Sequence, residues 1–325
     1  MVNSIQTSPE LGRAQPKRSG SQRLAPPQPL RSVLVPIDMS PSSDRVLARV
    51  ALLPLSRDAK ITVLHVVPSG LSVREQRIAV RAAKKPLDAE VRHLAKSLPR
   101  DISVVPVVTV GTPAQEIATR AAAVAAELIV MGRGGRRPVR DAILGSTAER
   151  VIRRARIPVL VVRLPPRRAY SQPALALDLD DAAPVALGML FRVMQGPRYP
   201  VMVIHAFVDP YRGMVYSHLP PDEIEERNQE LHLQASQQLH LLLADALARA
   251  KVPPEHAPAW KAHVRNGSPR TVIEAAVKKA ERDLLVLGSR GHSGLAQLFL
   301  GTVAGDVLRE VPCDVLVVPP RRPKR

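Results

Sequence analysis

The chain has 325 residues, with 47 Lys and Arg against 29 Asp and Glu, a formal charge of +18, one cysteine and 2% aromatic residues. A lone cysteine excludes an intrachain disulfide, no Cys/His cluster has metal-ligand spacing, and rings are too scarce for a stacking platform on single-stranded nucleic acid. No run reaches the ~18 apolar residues of a membrane span, residues 1–29 lack the apolar core of a secretory signal, and the length suits two domains of about 100–200 residues each.

Residues 1–30, rich in Pro, Ser, Gln and Arg, read as a disordered basic segment. SVLVPIDMS then reads as a first strand ending near Asp38, and SSDRVLARVALLPL as the helix that follows. ITVLHVV (Ile61–Val67) is a second strand, PLDAEVRHLAKSL a long helix, and ISVVPVVTV a third strand leading into the helix PAQEIATRAAAVAA. LIVMG is a fourth strand; a glycine loop, the helix STAERVIRRA and a fifth strand, VLVV, complete the unit. Strands and helices in alternation predict an α/β fold with a doubly wound parallel sheet. Residues 1–163 contain no Phe, Tyr or Trp, so the cores are expected to be Val, Ile, Leu and Ala.

The unit occurs twice. LALDLDD places Asp178 140 residues after Asp38, and VMVIHAF places His205 140 residues after His65. NGSPRTVIEA, DLLVLG and the second VLVV follow their counterparts by 156, so 16 residues are inserted between His205 and Gly267. The predicted organisation is a first domain over 31–163, a linker over 164–173, a second domain over 174–319 and a basic tail over 320–325. Much of the positive charge sits in the N-terminal segment, near the linker (Arg163, Arg167, Arg168) and in the tail (Arg321, Arg322, Lys324, Arg325), so it reads as solubility more than as a nucleic-acid footprint. Cys313 reads as a buried structural thiol in a reducing, cytoplasmic setting. The insertion, with Tyr211, Met214 and Tyr216, reads as a surface loop or as a lid over a second pocket.

Both copies carry the spacing G-x2-G-x9-G-[S/T] after strand four: Gly132, Gly135, Gly145 and Ser146, then Gly288, Gly291, Gly301 and Thr302. Such a loop opens a helix whose free N–H groups and dipole favour an anion, with Ser146 and Thr302 as expected N-caps. It lies at the carboxyl edge of a strand, where open α/β sheets bind ligands. No G-x4-G-K-[ST] is present, and Arg137 stands where a dinucleotide fingerprint needs glycine. Arg133, Arg136, Arg137 and Arg140 against Asp141 make the first loop more basic than the second, which has Arg290 and His292; a stronger preference for a triphosphate is expected there. His65 and His205 read as structural, and no nucleophile–base pair or acidic metal cluster is found.

The acid ending strand one, GTP and GSP before the third helix, IVMG and LVLG, the glycine spacing and the closing VLVV together resemble the universal stress protein family, over about residues 31–163 and 173–319. The resemblance implies two tandem doubly wound domains with five-stranded parallel sheets, of the adenine nucleotide alpha hydrolase-like (Rossmann-like) kind. It also implies a pocket for ATP, ADP or AMP, with Mg2+ beside the phosphates, and pairing through the last strands. Here that pairing would be an internal pseudo-dimer, with a further homodimer open to it. By resemblance, Asp38 and Asp178 sit near adenine and ribose, and Val66 and Ala206 touch the base. Met131, Gly132, Gly135, Gly145, Ser146 and Thr147 would contact phosphate and ribose in the first copy; Leu287, Gly288, Gly291, Gly301, Thr302 and Val303 would do so in the second. Departures are Arg136, Arg137 and Pro138 where the second copy has HSG, and Ala176 where the first has Pro36. The expected role is an ATP-binding stress-response or signalling module with an unidentified protein partner and at most incidental ATP hydrolysis. A same-fold scaffold with empty pockets and a nucleic-acid binder acting through the basic ends are the alternatives.

Overall fold

Apolar β-branched runs and Ala/Leu-rich helical stretches take turns along the chain, and each folds as its period dictates. In a computed structural model describing residues 28–134, 146–178, 183–194, 199–208, 220–249, 258–288 and 301–320, the first copy runs β1 (Leu30–Pro36), α1 (Pro41–Ala51), β2 (Leu55–Pro68), α2 (Val73–Lys96), β3 (Ser103–Gly111), α3 (Pro113–Ala123), β4 (Leu128–Gly132), α4 (Ser146–Arg154) and β5 (Val159–Val162). The second runs β6 (Pro173–Ala176), α5 (Ala183–Val193), β7 (Val201–Phe207), α6 (Pro221–Arg249), β8 (Trp260–Asn266), α7 (Pro269–Lys279), β9 (Leu284–Gly288), α8 (Thr302–Glu310) and β10 (Asp314–Val318).

Within each copy all strand pairs are parallel. The copies join where β10 meets β5 antiparallel, Leu316 opposite Leu160, so one sheet of ten strands runs β3-β2-β1-β4-β5-β10-β9-β6-β7-β8. Alternation along each strand divides the core in two. Val33, Val35, Leu128, Val130, Leu160 and Leu316 pack under the layer of α1, α2, α5 and α6. Leu34, Ile129, Met131, Val159 and Val315 pack under that of α3, α4, α7 and α8. Both faces being covered explains why β4, β5, β9 and β10 read as nearly unbroken apolar runs. No helix among the described residues is long and apolar enough to cross a membrane.

Several boundaries differ from the sequence reading, β2 starting at Leu55 and not Ile61 among them, and two have a local cause. The long helix α2 starts at Val73, well ahead of Pro86, because Ser72 and Glu75 form a reciprocal capping box that satisfies its first donors. Pro86 lies inside the helix, on an exposed turn where Ala82, whose carbonyl loses its helical donor, is exposed as well. Ser146 and Thr302, expected as N-caps, are instead the first helical residues of α4 and α8, and Gly301, extended at φ −56° and ψ 149°, takes the N-cap of α8.

The connection between the copies is built into the core. Asp314, fully buried at the start of β10, accepts hydrogen bonds from the backbone N–H groups of Arg163 (2.6 Å) and Leu164 (2.8 Å) and from the Tyr170 hydroxyl (2.7 Å). Arg49 of α1 reaches the same carboxylate at 3.2 Å, lies over the Tyr170 ring at 4.1 Å, and donates to the carbonyl of Arg168. Asp283 accepts from the backbone N–H groups of Ser171 and Gln172. The Asp283 contacts recur in the first copy, where Glu127 accepts from the backbone N–H groups of Arg31 and Ser32; the Asp314 contacts have no counterpart among the described residues at the other end of the β5–β10 joint. At the repeat offsets, Met189 stands where Arg49 does and Pro158 where Asp314 does.

Cys313 is fully buried, and desolvation, with the Asp314 charge beside it, pushes its thiol up to about 12. Native protein at pH 8 should therefore react with a thiol reagent far more slowly than urea-unfolded protein. Equal labelling rates would show the thiol to be open to solvent.

Candidate functional site

At the carboxyl edge of β1 the chain direction in the sheet divides: β2 and β3 lie on one side, β4 and β5 on the other. A crevice opens at such a switch point because the connections leaving β1 and β4 go to opposite faces. Here it is a cavity of about 630 Å³, within the range of small-molecule sites. Asp38, Val66, Met131, Gly132 and Thr147, all named from the sequence, line it together.

The backbone beyond β1 is fixed locally. Ile37 donates to the Leu64 carbonyl at 2.9 Å, and Met39 takes a left-handed φ of 57°. That turn brings the Ser40 N–H (3.1 Å) and the Ser43 hydroxyl (3.3 Å) onto Oδ1 of Asp38. Burial pushes the Asp38 carboxyl up, but the hydrogen bonds from Ser40 and Ser43 outweigh it and hold the group below the usual carboxylate range. It is thus an ionised acceptor at neutral pH, suited to hydroxyl or amine donors and unsuited to phosphate. His65 holds the crevice's shape: its Nδ1 donates to the Ile37 carbonyl at 3.0 Å, and His205 repeats the contact on the Leu177 carbonyl at 3.0 Å.

Part of the wall is glycine backbone. A Cβ added at Gly132 would meet Val46 Cγ2 at 3.5 Å, Ser42 Oγ at 3.8 Å and the Gly134 nitrogen at 4.0 Å. Gly134 has a φ of 74°, which favours glycine, and it too lines the cavity. Thr147 stands in the first turn of α4, where helix N–H groups lack intrahelical partners. A carboxylate and hydroxyls together with glycine backbone and a helix N-terminus suit a ligand with a polar organic part and an anionic part.

The sequence reading missed Ser42 and Ser43, Gly134, and Leu71 and Ala79 at the head of α2, all of which line the cavity. Gly134 was visible as a third glycine in GRGG. Leu71 and Ala79 gave no signal once the helix was started at Pro86. Gly135, Gly145, Gly291, Arg136, Arg137, Arg140, Asp141, Arg290 and His292 lie outside the described residues, as do Tyr211, Met214 and Tyr216.

The second copy repeats the frame. Ala176 pairs with both Ile204 and Leu287, placing Asp178, Ala206, Leu287 and Gly288 at the carboxyl edges of β6, β7 and β9, again at a switch point. Gly301, Thr302 and Val303 begin α8. A separate cleft of about 310 Å³ lies between α6 and the ends of β7 and β8, lined by Phe207, Asn228, His232 and Arg265 among others. No His, Cys, Asp and Glu cluster among the described residues has a metal-binding arrangement.

Comparison with known proteins agrees with this architecture. The family model for the universal stress protein family matches twice, at residues 29–163 and 174–319. Universal stress protein Rv2005c of Mycobacterium tuberculosis is 24% identical over 317 residues, which span 90% of this chain and 99% of that protein. A universal stress protein from Thermus aquaticus is 30% identical over 146 residues, 44% of this chain and 95% of its own. Among solved structures, a universal stress protein from Archaeoglobus fulgidus superposes with a TM-score of 0.60 at 18% identity, covering 89% of this chain and 96% of that one. With two family matches, one per sheet half, the chain belongs to the universal stress protein family, in its tandem form.

Proposed function

We propose that the protein is an adenine-nucleotide-binding module, with ATP in the first-copy cavity, and that it acts by responding to the nucleotide and not as a dedicated enzyme. The observation that carries this reading is the shared cavity of Asp38, Val66, Met131, Gly132, Gly134 and Thr147 at the β1/β4 switch point. Asp38 would accept from ribose or base, Val66 and Met131 would flank the ring, and the glycine backbone and the head of α4 would face the phosphates. Among the described residues the cavity holds one carboxylate, so Mg2+ would enter with the nucleotide, bound chiefly by phosphate and water. The second copy, through Asp178, Ala206, Leu287, Gly288, Gly301, Thr302 and Val303, would offer an equivalent site. The cytoplasm would be its setting.

Titration calorimetry of nucleotide-stripped protein with Mg-ATP, ADP and AMP tests the reading. Saturable heat at micromolar to low-millimolar ATP is expected, together with a rise in unfolding temperature that grows with ATP concentration. Absence of both at several millimolar ATP would favour a scaffold that works through protein contacts.

A further inference from the structure

The equivalent helices α2 and α6 bury matching quartets, Ala83, Leu87, Val91 and Leu94 in one and Ala235, Leu239, Leu243 and Ala246 in the other. Each quartet begins near the middle of its helix and runs toward its C-terminus. No residue from Val73 to Ala82 is buried, and none from Pro221 to Gln234. The inner side of each half meets the body, with Ala79 on the first cavity and Asn228 bonded to Asn266, and the outer side is open surface; short helical segments in water draw most of their stability from packing.

Their charges are opposite. Residues 73–85 carry Arg74, Arg77, Arg81, Lys84 and Lys85 against Glu75, and all five bases are exposed. Residues 221–230 carry Asp222, Glu223, Glu225, Glu226 and Glu230 against Arg227, and all five acids are exposed. Apolar side chains stand among both sets: Val73 and Ile78 are 66% and 59% exposed, and Leu233 is 59% exposed. At helical spacing, Arg74, Ile78, Arg81 and Lys85 form one stripe, and Asp222, Glu226, Glu230 and Leu233 form the other.

The two stripes cannot neutralise each other within one molecule. α2 packs on β2 and β3 and α6 on β7 and β8, at opposite ends of the ten-strand sheet. At ~4.8 Å per strand they lie tens of ångströms apart, well beyond a screening length of about 8 Å. We infer that α2 of one molecule docks against α6 of a second copy of this chain. Both surfaces are present on every copy, so the contact can be made twice in a closed pair or repeated along a row. The inference is independent of nucleotide binding, since no charged residue of either stripe lines the first cavity.

The test is sedimentation velocity on nuclease-treated full-length protein over a range of concentration and salt. Concentration-dependent association that weakens as salt rises is expected. The triple variant R74E/R77E/R81E and the triple variant D222K/E226K/E230K, each checked for folding by circular dichroism, should both self-associate at least about tenfold more weakly, because like charges then face each other. Mixing the two variants in equal amounts should restore association, as should combining all six changes in one chain. A wild type that stays monomeric at low salt would overturn the inference. So would association that vanishes on nuclease treatment, association unchanged in both triple variants, or a failure of the mixed variants to recover it.

Discussion

Asp314→Ala should lower the free energy of unfolding by about 3–5 kcal/mol, the range seen when one partner of a buried ion pair is removed. The carboxylate is fully buried and is the common acceptor for two backbone N–H groups, the Tyr170 hydroxyl and the Arg49 guanidinium. Removing it leaves these donors facing one another in a site from which water is excluded, and each unsatisfied donor costs about 1–3 kcal/mol before relaxation. Arg49 retains its ring contact and the Arg168 carbonyl, which keeps the loss below the full sum. Asp314→Asn, which keeps one acceptor oxygen, should cost less than Asp314→Ala. Arg49→Met, which copies the apolar choice at Met189, should also destabilise, because Asp314 is then left without its counter-ion. Urea unfolding followed by circular dichroism gives the differences, and the Arg49→Met/Asp314→Asn double variant gives the coupling, expected to exceed about 1 kcal/mol. A loss under about 1 kcal/mol for Asp314→Ala would mean that the joint is held by the Val and Leu contacts of β5 and β10 alone.

Gly132→Val should weaken ATP binding in the first copy at least about tenfold while costing little stability, since a branched side chain would exclude the ligand from the space it fills. Gly132 has no left-handed φ, and its Cβ would find only ordinary contacts with Val46 and Ser42. The two added methyls would take up space at a position that lines the cavity beside Ser42 and the Gly134 nitrogen. Gly132→Ala should fall between wild type and valine, giving a graded series. Gly134→Ala is the contrasting variant: its φ of 74° makes any side chain strained, so it should lose about 1 kcal/mol or more of stability along with binding. Calorimetry for affinity and urea unfolding for stability separate the two effects. A well-folded Gly132→Val with wild-type ATP affinity would place the phosphates elsewhere.

The strands were readable because buried parallel strands are continuous apolar runs, and β4 and β9 lie where LIVMG and LLVLG predict. The duplication added a second reading of every weak element. The candidate cavity was readable in part, since Asp38, Met131 and Gly132 stand at strand ends and strand ends converge at a switch point. What escaped notice depends on contacts distant in sequence. Arg49 and Tyr170 are far from Asp314 along the chain, and nothing local in Asp314 marks it as buried. The first half of α2 escaped for the opposite reason. It carries charges in place of an apolar face, and a proline at its midpoint imitates a helix start.

The one-sided cluster at the β5–β10 joint bears on why the two copies share a chain. In a pair of identical subunits, every residue chosen for one side of the axis is imposed on the other. An aspartate at the Asp314 position would then replace Pro158 as well, and a second arginine would displace the buried Met189. Fusion removes that constraint. Each half can diverge without waiting for a compensating change in its twin, and the joint holds at any dilution because its partners are tethered. A chain of this kind can keep one half as a receptor while the other drifts toward a different task, a division of labour that a symmetric dimer cannot make.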